Sequence, residues 1–229
     1  EVTVDLLDAD SVRAALDGAD AVYHLAPNVH PDEQRVGRTV LDAARAVGVT
    51  RVVFHSVLHP QLESMPHHWA KLRVEEMVVE SGTEWTILQP AAYVQNFARP
   101  ADGALRVPYR LDAPFSLVDL ADVAEAAATV LTQAGHEAAA YELAGPRRVT
   151  VRQVAEALGA RPVQQAVDEW AQGQQLPAYA VEALYAMFGH YDRHGLVGNP
   201  RVLAALLGRA PHDPLDVLAG KATDAHGSG

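Results

Sequence analysis

Residues 51–88 read RVVFHSVLHPQLESMPHHWAKLRVEEMVVESGTEWTIL, and this stretch decides the fold. RVVFHSV at 51–57 is rich in β-branched and aromatic residues and predicts a strand. Pro66 suits the first turn of a helix and Gly82 its stop, so 66–81 is predicted helical. EWTIL at 84–88 is a second run of strand type. Strand, helix and strand at this spacing make a βαβ unit, which implies a parallel sheet.

The same alternation extends toward the N-terminus. AVYHL at 21–25 predicts a strand, and 31–47 a helix opened by Pro31 and stopped by Gly48. Residues 2–6 predict a short strand and 11–16 a helix capped by Asp8 or Asp10. Beyond Gln89 the order changes. Residues 91–110 carry several Pro and Gly and read as irregular, 115–118 as a short strand, and Asp119 as the cap of a helix reaching about Thr132. Residues 141–143 are strand-like. Thr150 and Gln153 form a capping-box pattern over 151–158. Helices are predicted at 178–190, at 200–207 behind Asn199, and at 214–218. The organisation expected is therefore a nucleotide-binding core over 1–90, remaining strands and a mostly helical region over 91–220, and a disordered or linking tail over 221–229.

Composition narrows the function. The chain has 229 residues, a formal net charge of −11, and 49% hydrophobic residues, enough for a large core without cross-links. It has no cysteine, which excludes disulfides, thiolate metal sites and a cysteine nucleophile. The acidic balance argues against a nucleic-acid partner. No apolar run approaches the roughly 20 residues that span a bilayer, and no signal peptide opens the chain. The expectation is a cytoplasmic protein that meets neither nucleic acid nor membrane.

Four stretches carry a resemblance to a known family: HSVLHPQLESMPHHWAKLRVEEMVVESGTEWTILQPAAYVQNF (55–97), VDLADVAEAAATVL (118–131), YELAGPRRVT (141–150) and ALYAMFGHYDRHGLVGNPRVLAALLGR (183–209). They resemble the NmrA-like branch of the atypical short-chain dehydrogenases. The resemblance implies an α/β fold: a Rossmann-like parallel sheet flanked by helices, with a small, mostly helical C-terminal substrate region. It also implies a glycine-rich βαβ unit ahead of the strand at 2–6. None of the 16 glycines forms that motif, so the family's first two strands are expected to be absent. Such a segment lies outside the sequence, is supplied by another arrangement, or is dispensed with in a shrunken sheet.

The resemblance assigns roles residue by residue. Ser56 matches the serine that binds the substrate carbonyl, or is a strand-end serine satisfied by backbone or water. Lys71 matches the lysine of the family's Y-x-x-x-K pattern, which binds the nicotinamide ribose. The tyrosine position holds His67 instead, an i, i+4 neighbour of Lys71 on one helix face. A neighbouring ammonium favours the neutral imidazole, a better base than acid. The plain alternative is a solvated helix start. Asp5, Leu6, Leu25, Ala26 and Pro27 match the adenosine side of a dinucleotide groove, and Pro90, Ala91, Ala92 and Tyr93 the nicotinamide side. The cofactor implied is NAD(P), with NADP favoured, if the glycine-rich unit is present, and none without it.

His55, His59 and His68 read as lining of a polar substrate pocket. Their spacing fits no metal site, so no metal is expected. Tyr93, Asn96, Phe97 and Tyr191, with Trp170 and His194, are read as further pocket wall; for Phe188 and Tyr185 helical spacing favours core packing. Asp119 and Asp122 read as helix caps, and Arg73, Glu75 and Glu76 as a solvated helix face. Three functions remain open: an oxidoreductase acting on a small carbonyl, quinone or enone; a dinucleotide-sensing regulator without turnover; and a cofactor-free isomerase or cyclase using the histidines. The partner expected is a small-molecule substrate, with a homodimer left open.

Overall fold

The structure is a computed structural model that describes residues 2–221. In chain order its elements are α1 (Ala9–Leu16), β1 (Ala21–His24), α2 (Glu33–Ala46), β2 (Arg51–His55), α3 (Pro66–Val79), β3 (Glu84–Pro90), β4 (Ala104–Val107), α4 (Leu120–Thr132), β5 (Ala139–Leu143), α5 (Val151–Ala157), β6 (Arg161–Gln164), α6 (Val167–Gln172), α7 (Ala178–His194), α8 (Arg201–Leu207) and α9 (Pro214–Leu218). The described residues fall into two compact units, 2–89 with 127–141 and 90–126 with 142–221. Residues 127–141, which the sequence reading grouped with the second region, thus belong with the first.

The expected parallel sheet is present. Its strand order is β1-β2-β3-β5, with β1–β2 and β2–β3 parallel. In the first unit one sheet face sends Val52, Phe54 and Ile87 into a core shared with Leu41 of α2 and Val74 and Val78 of α3. Residues i, i+2 of a strand line one face, so Val22, Val52 and Phe54 all serve this core. α2 and α3 approach closely at Gly37, where an added Cβ would lie 2.7 Å from Val74 Cγ1. On the other sheet face Thr86 Oγ1 donates to the His136 carbonyl at 2.7 Å. Arg51 donates to the Leu131 carbonyl at 3.1 Å, a cation at the end of α4 where the helix dipole favours one.

In the second unit β4 pairs in parallel with β6. Its aromatic cluster joins Tyr109, Phe115, Phe188 and Tyr191, with Trp170 edge-on to Phe188 at 4.7 Å between ring centroids. Gly145 passes so close to Leu117 that a Cβ would sit 1.8 Å from its carbonyl oxygen.

Several expectations are corrected. Residues 2–5 form no strand: none of the described strands pairs with them, and an extended run without a ladder is not a strand. Val4 and Leu6 pack instead on Val12 and Val40. Residues 115–118 make only isolated bridges, Phe115 to Val149 and Leu196, and Val118 to Tyr93. The stretch 91–110 is not wholly irregular, since it contains β4. Its partner β6 went unread because RPVQ holds a proline, which is tolerated only where no ladder donor is needed. The cap of α1 is Asp8, which accepts from Asp10 N and Ser11 N, and Thr150 and Gln153 do form a capping box. Of the tail expected at 221–229, residues 222–229 lie outside the described residues.

Candidate functional site

The site of the first unit is built on the buried face of α3. His68, Lys71, Val74, Glu75 and Val78 are its buried residues, spaced at three and four along the helix. Lys71 Nζ lies 2.7 Å from Glu33 Oε1, with the two side chains only 4% and 1% exposed. At that distance the ammonium and the carboxylate make a charge-assisted contact in the interior. Glu33 is the first residue of α2, where the helix dipole favours an anion. The ammonium also lies 5.3 Å from the centre of the Phe54 ring, and His24 stacks on that ring at 5.6 Å.

Three histidines near this charge, His24, His55 and His67, are held neutral. Burial first, then the Lys71 ammonium, pulls His24 and His55 down to about 4. His67 is pulled down to about 3 by burial, by Lys71 and by His68. His67, at the family's tyrosine position, is therefore a neutral imidazole at neutral pH. His68 is buried and its Nδ1 donates to the Leu58 carbonyl at 2.9 Å. Tyr23 and His55 share a short hydrogen bond between the phenol oxygen and Nδ1. His24 Nε2 is buried without a hydrogen-bond partner among the described residues.

Ser56 lies just past β2 and is fully buried. Its hydroxyl donates to Glu75 Oε1 in a short hydrogen bond. Gln89 Nε2 donates to both Glu75 oxygens, at 2.9 and 3.0 Å. Burial pushes the Glu75 carboxyl up, while Ser56 and Gln89 pull it back. Glu75 is thus no part of a solvated face. Its i+4 spacing from Lys71 puts both on the buried side, a signal legible in the sequence. Arg73 stacks over Trp69 at 4.5 Å and pairs with the exposed Glu76 at 2.9 Å.

Leu25 and Pro27, past the end of β1, are exposed, and Ala26 between them is buried. Val29 and His59, in the segments after β1 and β2, have φ of +50° and +56°. Left-handed backbone is rare for such residues, and strain of this kind gathers at ligand sites. Both segments leave carboxyl ends of parallel strands, where α/β sheets place their ligands. Asp5 is exposed and closes a turn onto Leu7 N at 2.9 Å. Leu6 is half-buried in the α1–α2 cluster.

The remaining expected residues belong to the second unit. Pro90 and Ala91 are buried and Ala92 half-buried. Burial pushes the Tyr93 phenol up to about 12. Asn96 is exposed and Phe97 half-buried. Tyr191 is buried in the aromatic cluster, as is the expected core residue Phe188 to a lesser degree, and His194 is exposed. Tyr185 is corrected: it is exposed, and its hydroxyl donates to Asp168 at 2.8 Å.

Asp119, Asp122 and His212 bring one potential ligand atom each within 4.8 Å. Both carboxylates already accept hydrogen bonds. Asp119 accepts from Ala121 N, Gln95 and His212, so its capping role holds. Asp122 is fully buried and accepts from Arg209 and His212 N, an anchor and not a cap.

Glu33 and His24 escaped the sequence reading. Glu33 lies three and four residues ahead of the buried Val36 and Gly37, so a charge opens the apolar stripe of α2. Lys71 is itself conspicuous, being one of only two lysines in the sequence.

Comparison with known proteins bears on the whole arrangement. The chain is 32% identical over 172 residues to an NAD(P)H azoreductase of Xenophilus azovorans, covering 69% of this chain and 58% of that protein. It is 30% identical over 155 residues to quinone oxidoreductase 2 of Escherichia coli strain K12, covering 66% and 54%. It thus spans about half the length of the curated relatives it matches. The crystal structure of an Escherichia coli NADPH-dependent quinone oxidoreductase complexed with NADPH superposes with a TM-score of 0.82, covering 95% of this chain and 82% of that one, at 24% identity. That likeness bears on the fold alone. The model of the NmrA-like family matches residues 2–221, the whole described chain. With its parallel sheet, its lysine on α3 and this match, the chain belongs to the NmrA-like family.

Proposed function

We propose that this chain is an NAD(P)H-dependent oxidoreductase whose acceptors are quinone-type compounds, with NADPH as the favoured donor. The reading draws on its relatives, an azoreductase and a quinone oxidoreductase. The observation that carries it is the neutral His67 imidazole beside Lys71.

The residues present fit a dinucleotide. Glu33 Oε2 and His24 Nε2 are buried polar atoms without hydrogen-bond partners among the described residues. Leaving such groups unmatched costs on the order of 1–3 kcal/mol each. Sugar hydroxyls beside the Lys71 ammonium would meet that need, and Leu25, Ala26 and Pro27 would flank the nucleotide from the end of β1. When bound, the reduced nicotinamide supplies the hydride.

The chain's own groups then select the acceptor. Hydride delivered to an isolated carbonyl leaves a strongly basic alkoxide, which needs an acid in the same step. His67 is a neutral imidazole at neutral pH, with no imidazolium proton to give, and Glu75 accepts every hydrogen bond it makes. Hydride delivered to a quinone leaves a phenolate-type anion, whose conjugate acid has a pKa near that of tyrosine, about 10. Water protonates such an anion without a dedicated acid. Lys71 stabilises the negative charge electrostatically, as a fixed cation in a water-poor site.

The test is turnover of NADPH by the full chain over a panel of quinones and aldehydes, followed at the nicotinamide absorbance. Quinones should be reduced and simple aldehydes not. Aldehydes reduced at comparable kcat/KM would overturn the acceptor assignment. Binding of NADPH without any turnover would replace the enzyme by a dinucleotide sensor.

A further inference from the structure

The sequence uses arginine for nearly all its cations, yet places one of its two lysines in the interior. A buried ion pair is a poor way to stabilise a fold, since apolar residues of similar volume do as well or better. The Glu33–Lys71 pair therefore calls for a purpose other than stability. Its geometry is set with some care. Glu33 stands one turn before Gly37 on α2, and Lys71 one turn before Val74 on α3. Gly37 meets Val74 where α2 and α3 pack together; a Cβ there would lie 2.7 and 3.0 Å from the two Val74 methyls. The missing side chain thus sets the helix spacing one turn from the ion pair. The Phe54 ring, with His24 stacked on it, bounds the ammonium from the sheet.

We propose that Glu33 is a positioning residue for Lys71: from the first turn of α2 its carboxylate holds the ammonium in one place, so that the lysine meets its ligand as a preset donor. The ligand side of this statement rests on the oxidoreductase reading; the Glu33–Lys71 relation does not. Holding a donor in place before the ligand arrives removes the cost of ordering a flexible four-carbon stem. The Gly37–Val74 approach makes the placement a property of two packed helices and not of one rotamer.

The experiment uses the full chain carrying 13C,15N-labelled lysine, in which two lysines give two side-chain signals. Wild type should show a sharp, slowly exchanging Lys71 ammonium signal beside the fast-exchanging signal of the exposed Lys221. In Glu33→Gln the Lys71 signal should exchange at least about tenfold faster, and Glu33→Asp should restore it in part. A Lys71 signal unchanged in Glu33→Gln would overturn the proposal. Gly37→Ala leaves both charged groups intact but spreads the helices. It should displace the Lys71 signal, and if Glu33→Gln does not fold, an unchanged signal in Gly37→Ala overturns the proposal. In turnover, Glu33→Gln should raise the KM for NADPH about tenfold with a smaller fall in kcat, and Glu33→Asp should recover part of it. Wild type without NADPH binding would defeat the oxidoreductase reading, and the lysine signals would then decide the role of Glu33 alone.

Discussion

Replacing Lys71 by methionine removes a charge while keeping most of the volume of its stem. It leaves the Glu33 carboxylate, 1% exposed, without the partner it meets at 2.7 Å. Breaking a buried pair in this way costs about 3–5 kcal/mol, most of it the penalty of the stranded charge. No discount for solvent screening applies, since both side chains are almost wholly inside. The double replacement Glu33→Leu with Lys71→Met removes the stranded charge too, and should return most of the lost stability. The two changes are then strongly non-additive, with a coupling of about 3 kcal/mol or more. Urea unfolding of the full chain in a Trp170→Phe background reads the first unit, because Trp69 and Trp85 remain there as probes. If Lys71→Met alone costs less than about 1 kcal/mol, or if the double variant is no more stable than the single one, Glu33 and Lys71 do not form an interior ion pair.

Further outcomes are expected. The neutral histidines make stability acid-sensitive: the unfolded chain binds protons below about 6.5, while His24 and His55 refuse them down to about 4 and His67 to about 3. Their contribution is whole above pH 6.5 and is lost progressively as the pH falls toward those folded values, by about 3 kcal/mol for His24 alone. A urea midpoint that stays flat from pH 7 to pH 4.5 would contradict this. Removing the ammonium in Lys71→Met should raise the pKa of all three histidines, read from their ring signals by NMR. Ser56→Ala withdraws a hydrogen bond that holds the Glu75 carboxyl down, so that carboxyl should titrate higher still; a 13C titration without change would refute the contact. Gly145→Ala drives a Cβ to 1.8 Å from the Leu117 carbonyl oxygen. Since backbone gives way less readily than a side chain, it should destabilise the second unit by about 1–3 kcal/mol, and a neutral result in thermal unfolding would count against that approach.

The local sequence carried the alternation of strand and helix over 21–88, because periodicity and helix stops act within a few residues of one another. β1, β2, α3 and β3 lie within a residue or two of their expected bounds for that reason. It also carried the pairing of His67 with Lys71, a matter of helical spacing alone. What it could not carry was partnership between distant segments. The run at 2–6 has strand-forming residues, but a strand is a relation to a neighbour, and its apolar side chains found the α1–α2 cluster instead. β4 and β6, separated by more than 50 residues in the chain, show the converse: two weak segments made strands by each other. Glu75 and Glu33 read as ordinary helix carboxylates until packing buried one against Ser56 and Gln89 and the other against Lys71. The burial that neutralises His24, His55 and His67 is likewise a sum over surrounding elements. Sequence by itself determined which residue types stand at which turn of which element; only the tertiary structure decided which charges lose their water, and with that which groups hold a proton.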